Sequence, residues 1–462
     1  MTSNKLAVIG LGYVGLPLAC LCAFKGYQTV GFDLNENAIS KLSNGQCHIR
    51  DEEVEKLLDQ AIKSKNFLPT LEPSQLNSCD IFLICVPTPV NAAHEPDIEP
   101  LLGAIKSIAP YVKKGALVVV ESTVFPGTCE DFVKPMLEEL TGLFCDEDFD
   151  LAHCPERVNP GDDFWTSANI PRVVGATRQE GALRAADFYS SILGGSVIDV
   201  RDVRNSLRPK FSVGDGNTLN TKNVPLGSVT VMRSIRDAEA VKAMENTVRD
   251  VNIAFVNELA KISDVLDLDV VDIIDGMSTK PFGKGPFYPG AGVGGHCIAV
   301  DPEWLKSASI KAGFVPQLIQ MSRDTNNHMP EYAVQVLQDL LNELSLPLRG
   351  AKVAVLGVSY KANVDDPRES PFYAVRESLM KKGAIINVFD TWVSQENTHQ
   401  SLRLALEDCV AVIVVTDHAD MMEDLARYDF EHSCIKVVVD GRNALDVEML
   451  PKSILYRGIG RR

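Results

Sequence analysis

Leu6-Ala7-Val8-Ile9-Gly10-Leu11-Gly12-Tyr13-Val14-Gly15-Leu16-Pro17 decides the fold. A short apolar run, a glycine turn of the form GxGxxG and a helix-like segment Leu16 to Lys25 follow one another, the order of a dinucleotide-binding βαβ unit. In such a unit Gly10, Gly12 and Gly15, with Tyr13 and Val14 between them, permit a tight turn. They also let a pyrophosphate reach the free N–H groups at the helix start. A second strand, Gln28 to Phe32, ends on Asp33, where a carboxylate holds ribose hydroxyls and repels a 2′-phosphate. NAD is therefore expected rather than NADP.

Outward from this unit the alternation continues. The runs Asp80 to Val86 and Ala116 to Val120 read as buried strands. They end in Pro87-Thr88-Pro89 and Glu121-Ser122-Thr123-Val124, which are expected to flank the cofactor because ligands bind beyond the carboxyl ends of parallel strands. Asp150 to His153 leads into Cys154-Pro155-Glu156-Arg157-Val158, a proline-bounded loop in which Glu156 is either a solvated charge or a carboxylate that activates water. A second alternating half runs from Lys352 to Arg442 without a glycine fingerprint, so its ligand need not be a dinucleotide. Lys361, Arg368 and Arg442 follow its strands and offer positive charge to a diphosphate. The expected fold is α/β, with two Rossmann-like doubly wound parallel sheets joined by a long central helix.

At 462 residues, two or three domains are expected. A hydrophobic content of 45% with 23% charged residues describes a globular chain. Without a signal-peptide layout or an apolar run long enough to cross a bilayer, it reads as a cytoplasmic enzyme with no membrane partner. The net charge of −17 argues against nucleic acid. Eleven scattered cysteines suggest neither a disulfide framework nor a metal site.

From 201 to 227 periodicity is lost, and an irregular loop or linker is expected. From Arg236 to about Leu266, Val241, Met244, Val248, Val251, Phe255, Leu259 and Ile262 recur at helical spacing, giving a spine and a plausible dimer surface. Lys242 and Asn246 share one face of it. Then follow Lys280, Phe287, Tyr288 and Gly290, suited to a charged sugar nucleotide, and Gly292-Val293-Gly294-Gly295-His296-Cys297. Glycines here would let backbone amides approach a ligand, and Asp301 comes four residues after Cys297. A thiol held there could attack an electrophilic carbon; the plain alternative is a buried cysteine in a tight loop.

Taken in order, the glycine turn, Val86 to Pro89, Glu121 to Val124, Cys154 to Gly161, Glu245 to Asn252, Gly294 to Cys297 and Asp365 to Pro371 resemble the UDP-glucose/GDP-mannose dehydrogenase family over nearly the whole chain. Some stretches look like UDP-N-acetylglucosamine members and others like UDP-N-acetylmannosamine members, so the epimer stays open. The resemblance implies oxidation of a sugar C6 alcohol to a carboxylate by two NAD through a covalent intermediate on Cys297. It implies oxyanion stabilisation by Lys242 and Asn246, Asp301 as base, and Glu156 with Thr123 at the hydrolytic water. Cofactor contacts are expected at Gly10, Gly12, Tyr13, Val14, Gly15, Asp33, Pro87, Thr88, Ser122, Thr123 and Arg368. Substrate contacts are expected at Glu156, Arg157, Val158, Lys242, Asn246, Lys280, Phe287, Tyr288, Gly290, Gly294, Lys361 and Arg442. The matching division is a cofactor domain 1–200, a linker 201–227, a central helical dimerisation domain 228–330 and a UDP-sugar domain 331–462. Two features depart from the family: no basic residue follows Asp33 in Leu34-Asn35-Glu36-Asn37, and 201–227 is longer than its usual connection. UDP-glucose as substrate and a non-catalytic NAD-sensing scaffold are the competing readings.

Overall fold

Fourteen strands form two sheets in a computed structural model that describes residues 5–89, 96–158, 164–207, 225–280, 286–295 and 297–462. The motif residues in 159–161 and 281–283, and His296, lie outside the described residues. Two compact units result, Met1–Glu245 with Glu303–Ala312, and Asn246–Pro302 with Gly313–Arg462. The expected segment 228–330 is shared between them.

In the first unit the apolar runs form β1 (Lys5–Ile9), β2 (Gln28–Phe32), β3 (Phe67–Thr70), β4 (Ile81–Ile84), β5 (Leu117–Val120) and β6 (Asp150–His153). They line up as β3-β2-β1-β4-β5-β6, continued by β7 (Arg172–Ala176), β9 (Val229–Val231) and β8 (Val197–Asp199). All neighbours are parallel except β6 and β7. The first six reproduce the dinucleotide-fold order. Leu16, Leu18 and Leu21 of the helix Gly15–Phe24 are buried in one core with Leu6, Val8 and Leu83. That burial fixes where the helix starts, and truncating one such leucine to alanine costs about 2–5 kcal/mol.

The second unit holds β10 (Lys352–Leu356), β11 (Ile385–Phe389), β12 (Ala411–Val414), β13 (Val437–Asp440) and β14 (Leu455–Gly458) in the order β11-β10-β12-β13-β14, all parallel. Helices Gln317–Glu343 and Pro371–Lys381 cover it, with Leu337, Leu341 and Phe372 fully buried. The expected spine is present as the 32-residue helix Ile235–Leu266.

One expectation fails. The segment from 201 does not begin as an irregular loop, because Val200–Leu207 is helical. Val200, Val203 and Leu207 stand at helical spacing among polar residues that obscure it, and Asp199 Oδ1 accepts the Arg201 N–H at 2.7 Å, satisfying a donor at the helix start. Residues 208–224 lie outside the described residues.

Candidate active site

The three glycines of the first turn have three different reasons. Gly10 has φ +90°, and a Cβ there would stand 2.7 Å from the Cys85 carbonyl oxygen. At Gly15 a Cβ would stand 1.8 Å from the Gly10 oxygen, so helix and turn touch only because both residues are glycine. At Gly12 nothing lies within 4 Å. The turn is thus open where a pyrophosphate would approach. Asp33 Oδ2 accepts the Leu11 N–H at 2.6 Å and Oδ1 accepts the Asn35 N–H at 2.8 Å, which aims the acid along the same turn. Tyr13 is partly exposed. The loops after β4 and β5 are tied together, Thr88 Oγ1 donating to the Thr123 oxygen at 2.6 Å and Ser122 Oγ to the Val86 oxygen at 2.7 Å. Open glycine, ribose acid and paired loops fit NAD.

Beyond β6 the sequence reading missed the central residue. Arg172, 1% exposed, donates from Nη1 to Glu121 Oε2 at 2.8 Å and from Nη2 to Glu156 Oε2 at 2.7 Å. Glu156 Oε1 accepts the N–H groups of Arg157 and Val158 at 2.6 and 2.8 Å. Tyr189 donates to Glu121 Oε1. Burial pushes the Glu121 carboxyl up to about 7 against the pull of Arg172. An arginine opening the otherwise apolar run Arg172-Val173-Val174 was the available signal. Arg157, expected on the substrate, ion-pairs with Glu245 and donates to the Pro171 oxygen at 3.0 Å. Lys242 is buried one helical turn before Asn246.

In the second unit, Asn246 Nδ2 donates to Asp301 Oδ2 at 2.5 Å, and both residues are buried. The Asp301 N–H returns to the Cys297 oxygen at 2.8 Å, so the thiol stands on the turn that opens the helix Asp301–Lys311. Of the eleven cysteines Cys297 and Cys47 are half-buried and Cys434 is exposed, whereas Cys20, Cys22, Cys79, Cys85, Cys129, Cys145, Cys154 and Cys409 are buried. Burial pushes the thiols of Cys79, Cys145 and Cys409 up to about 11, which keeps them neutral.

The loop glycines take conformations closed to other residues, Gly292 at φ +135° and Gly295 at φ +88°, and close packing within the fold adds a second cause. A Cβ on Gly294 would lie 2.5 Å from the Glu369 oxygen, and one on Gly295 (φ +88°) 2.8 Å from the Tyr360 ring. They let the cysteine loop pass against the loops after β10. This brings Gly294 and Gly295 beside Tyr360, and the Gly295 N–H donates to the Arg368 oxygen at 3.3 Å. Arg368 forks onto Asp366 at 2.6 and 2.9 Å. Gly290 lies against Arg442, whose Nε donates to Asp417 at 3.1 Å. Tyr288 donates to Asp275 at 2.5 Å, Lys280 is exposed, and Phe287 packs on the core around Leu337.

The second sheet repeats the first turn with one change. The Gly357 N–H donates to the Phe389 oxygen at 3.0 Å, as that of Gly10 does to Phe32 at 2.8 Å, and Asp390 ends β11 as Asp33 ends β2. Asp390, 1% exposed, accepts from the N–H groups of Val358, Ser359, Trp392 and Val393. His418 Nε2 lies 3.0 Å from its Oδ2, while His418 Nδ1 accepts the Asn363 N–H at 2.9 Å. The ring hydrogen is therefore on Nε2, and the acid has no oxygen left for a ribose.

Strand order, open glycine turn and ribose acid define the first unit as the cofactor domain of an NAD-dependent oxidoreductase. Family models match in chain order: the NAD binding domain at 4–193, the central domain at 236–328 and the UDP binding domain at 354–447. The chain belongs to the UDP-glucose/GDP-mannose dehydrogenase family. It is 33% identical to a UDP-N-acetyl-D-mannosamine dehydrogenase of Pyrococcus horikoshii over 99% of both chains. The solved structure of UDP-D-ManNAc dehydrogenase from that organism superposes with a TM-score of 0.86, again over 99% of both chains at 33% identity. A UDP-N-acetyl-D-glucosamine 6-dehydrogenase of Salmonella typhi is 33% identical over 86% of this chain and 84% of its own. Among the described residues no helix is long and apolar enough to cross a membrane, and no group of three His, Cys, Asp or Glu side chains could hold a metal.

Proposed function

We propose that this chain oxidises the C6 hydroxyl of a UDP-N-acetylhexosamine, UDP-ManNAc or UDP-GlcNAc, to the carboxylate. The reaction consumes two NAD and one water and supplies a uronate for surface polysaccharide in the cytoplasm. The observation that carries it is the half-buried Cys297 thiol one turn before an Asp301 carboxylate held by Asn246. An alcohol oxidation needs no nucleophile; one carried on to the acid does.

NAD, when bound at the first turn, would supply the hydride acceptor for each oxidation of C6. Asp301 takes the C6 hydroxyl proton, directly or through water. Asn246, with one amide hydrogen on Asp301, has its second for the developing oxyanion, beside the Lys242 ammonium one turn away. The Cys297 sulfur adds to the aldehyde carbon to give a thiohemiacetal. Loss of the second hydride leaves a thioester, and water aligned by Thr123 and Glu156 displaces the sulfur to give the acid. The stretch around Gly290, Lys361 and Arg442 takes the UDP moiety. Met244, Val248, Phe255 and Ile262, exposed along the helix Ile235–Leu266, form the contact of a homodimer.

The test offers NAD with UDP-ManNAc, UDP-GlcNAc, UDP-glucose and UDP-galactose, and counts NADH per sugar consumed. Two per N-acetylated sugar is expected. One per sugar, or preference for UDP-glucose, refutes the assignment.

A further inference from the structure

Thr123 and Glu156 stand on separate loops, beyond β5 and β6, yet one side chain spans both. The antiparallel pairing of β6 with β7 sets His153 opposite Gly175, so three residues further on Arg172 comes level with Glu156. Its guanidinium then bridges Glu156 to Glu121, two residues before Thr123. The ionisable groups that face Glu121 are Arg172, Glu156, Tyr189 and the thiols of Cys22, Cys85 and Cys154. Burial raises the three thiols and Tyr189, which keeps them neutral. Among the described residues Arg172 is thus the cation that bonds both buried carboxylates.

We propose that Arg172 is a positioning residue for thioester hydrolysis, holding Glu156 toward the water while Glu121 competes for the same guanidinium. This rests on the thioester reading above. Oxidation to the thioester makes no use of Glu156, so loss of Arg172 slows only the last step. With Glu121 protonated the whole positive charge falls to Glu156; with Glu121 ionised it is divided, and hydrolysis acquires a pH dependence that belongs to Glu121. The Glu121 carboxyl, lifted by burial to about 7, puts that dependence near neutrality.

The experiment mixes native enzyme, Arg172→Gln and Arg172→Lys with NAD and the best sugar from the panel. It follows NADH through the first turnover and the steady state, and quenched samples are weighed for an acyl adduct on Cys297. Expected for Arg172→Gln is a native burst of two NADH per site, a steady state slowed about 100-fold and adduct on most of the enzyme, with partial recovery in Arg172→Lys. Equal slowing of burst and steady state, or no adduct, in variants of an enzyme whose native form gives both overturns the role of Arg172 alone. A native enzyme that gives neither two NADH nor an adduct overturns the thioester reading and this inference with it. Should Arg172→Gln not fold, Glu121→Gln decides: it keeps the shape and removes the titration. The inflection near pH 7 in native hydrolysis then disappears, and its persistence overturns the proposal.

Discussion

Replacing Gly12 by alanine separates cofactor binding from folding. Its Cβ meets no atom within 4 Å, so the folded chain accepts it as a surface change, worth within about 0.5 kcal/mol. The same methyl fills the space a pyrophosphate must enter to reach the helix amides. Moving the phosphate outward by about 1 Å weakens charge-assisted hydrogen bonds worth roughly 1.5–3 kcal/mol each. Loss of one such bond lowers NAD affinity about 10- to 100-fold. Gly15→Ala is the control of opposite sign: its Cβ would sit 1.8 Å from a backbone oxygen, so helix or turn must move. Overpacking of this kind costs about 1–3 kcal/mol or more. Calorimetric titration with NAD and thermal melts of both variants make the test. Gly12→Ala should melt with the native protein and bind NAD weakly, and Gly15→Ala should melt early. Native NAD affinity in Gly12→Ala would refute this assignment of the open space.

Cys297→Ala should abolish uronate formation while titrating NAD as the native enzyme does; continued production of the acid would exclude the covalent route. His153 is fully buried with neither ring nitrogen bonded among the described residues, and burial pushes its pKa down to about 3. The folded protein keeps it neutral while the unfolded chain protonates it below about 6.5, so its contribution to stability is whole above that pH and lost as pH falls toward 3. The loss runs at about 1.4 kcal/mol per pH unit. Between pH 7 and 5, denaturant titrations of His153→Leu should show about 2 kcal/mol less destabilisation than those of the native protein; equal pH responses would exclude His153 as the source. Phe255→Glu places a charge on the exposed stripe of the long helix, and sedimentation should report a dimer for the native chain, as proposed, and monomers for the variant. An unchanged dimer would move the interface elsewhere.

The strands that carry ligand chemistry were legible because parallel strands buried on both faces are written as unbroken apolar runs, as in Leu117-Val118-Val119-Val120. Asp33 and the glycine turn were legible because their spacing is fixed by a ligand. The strands β3, β7, β8, β9 and β14 were not, being short or interrupted by polar residues. Arg172 escaped because nothing local distinguishes a buried arginine from an exposed one; its partners, Glu121 and Glu156, are 51 and 16 residues away and meet it only through the reversed strand β7. The glycines before Cys297 were legible as backbone that other residues cannot adopt, but the ring of Tyr360 against which Gly295 packs was not, because it lies 65 positions further along the chain.

Asp390, closed off by His418 and four backbone amides, leaves one berth for a dinucleotide among the described residues. The proposed reaction, which strips two hydrides from one carbon, would then run as a queue. The first reduced cofactor departs and a fresh one enters while the sugar, half converted, waits its turn. On the proposed reading, the sulfur at position 297 would keep its place during the changeover.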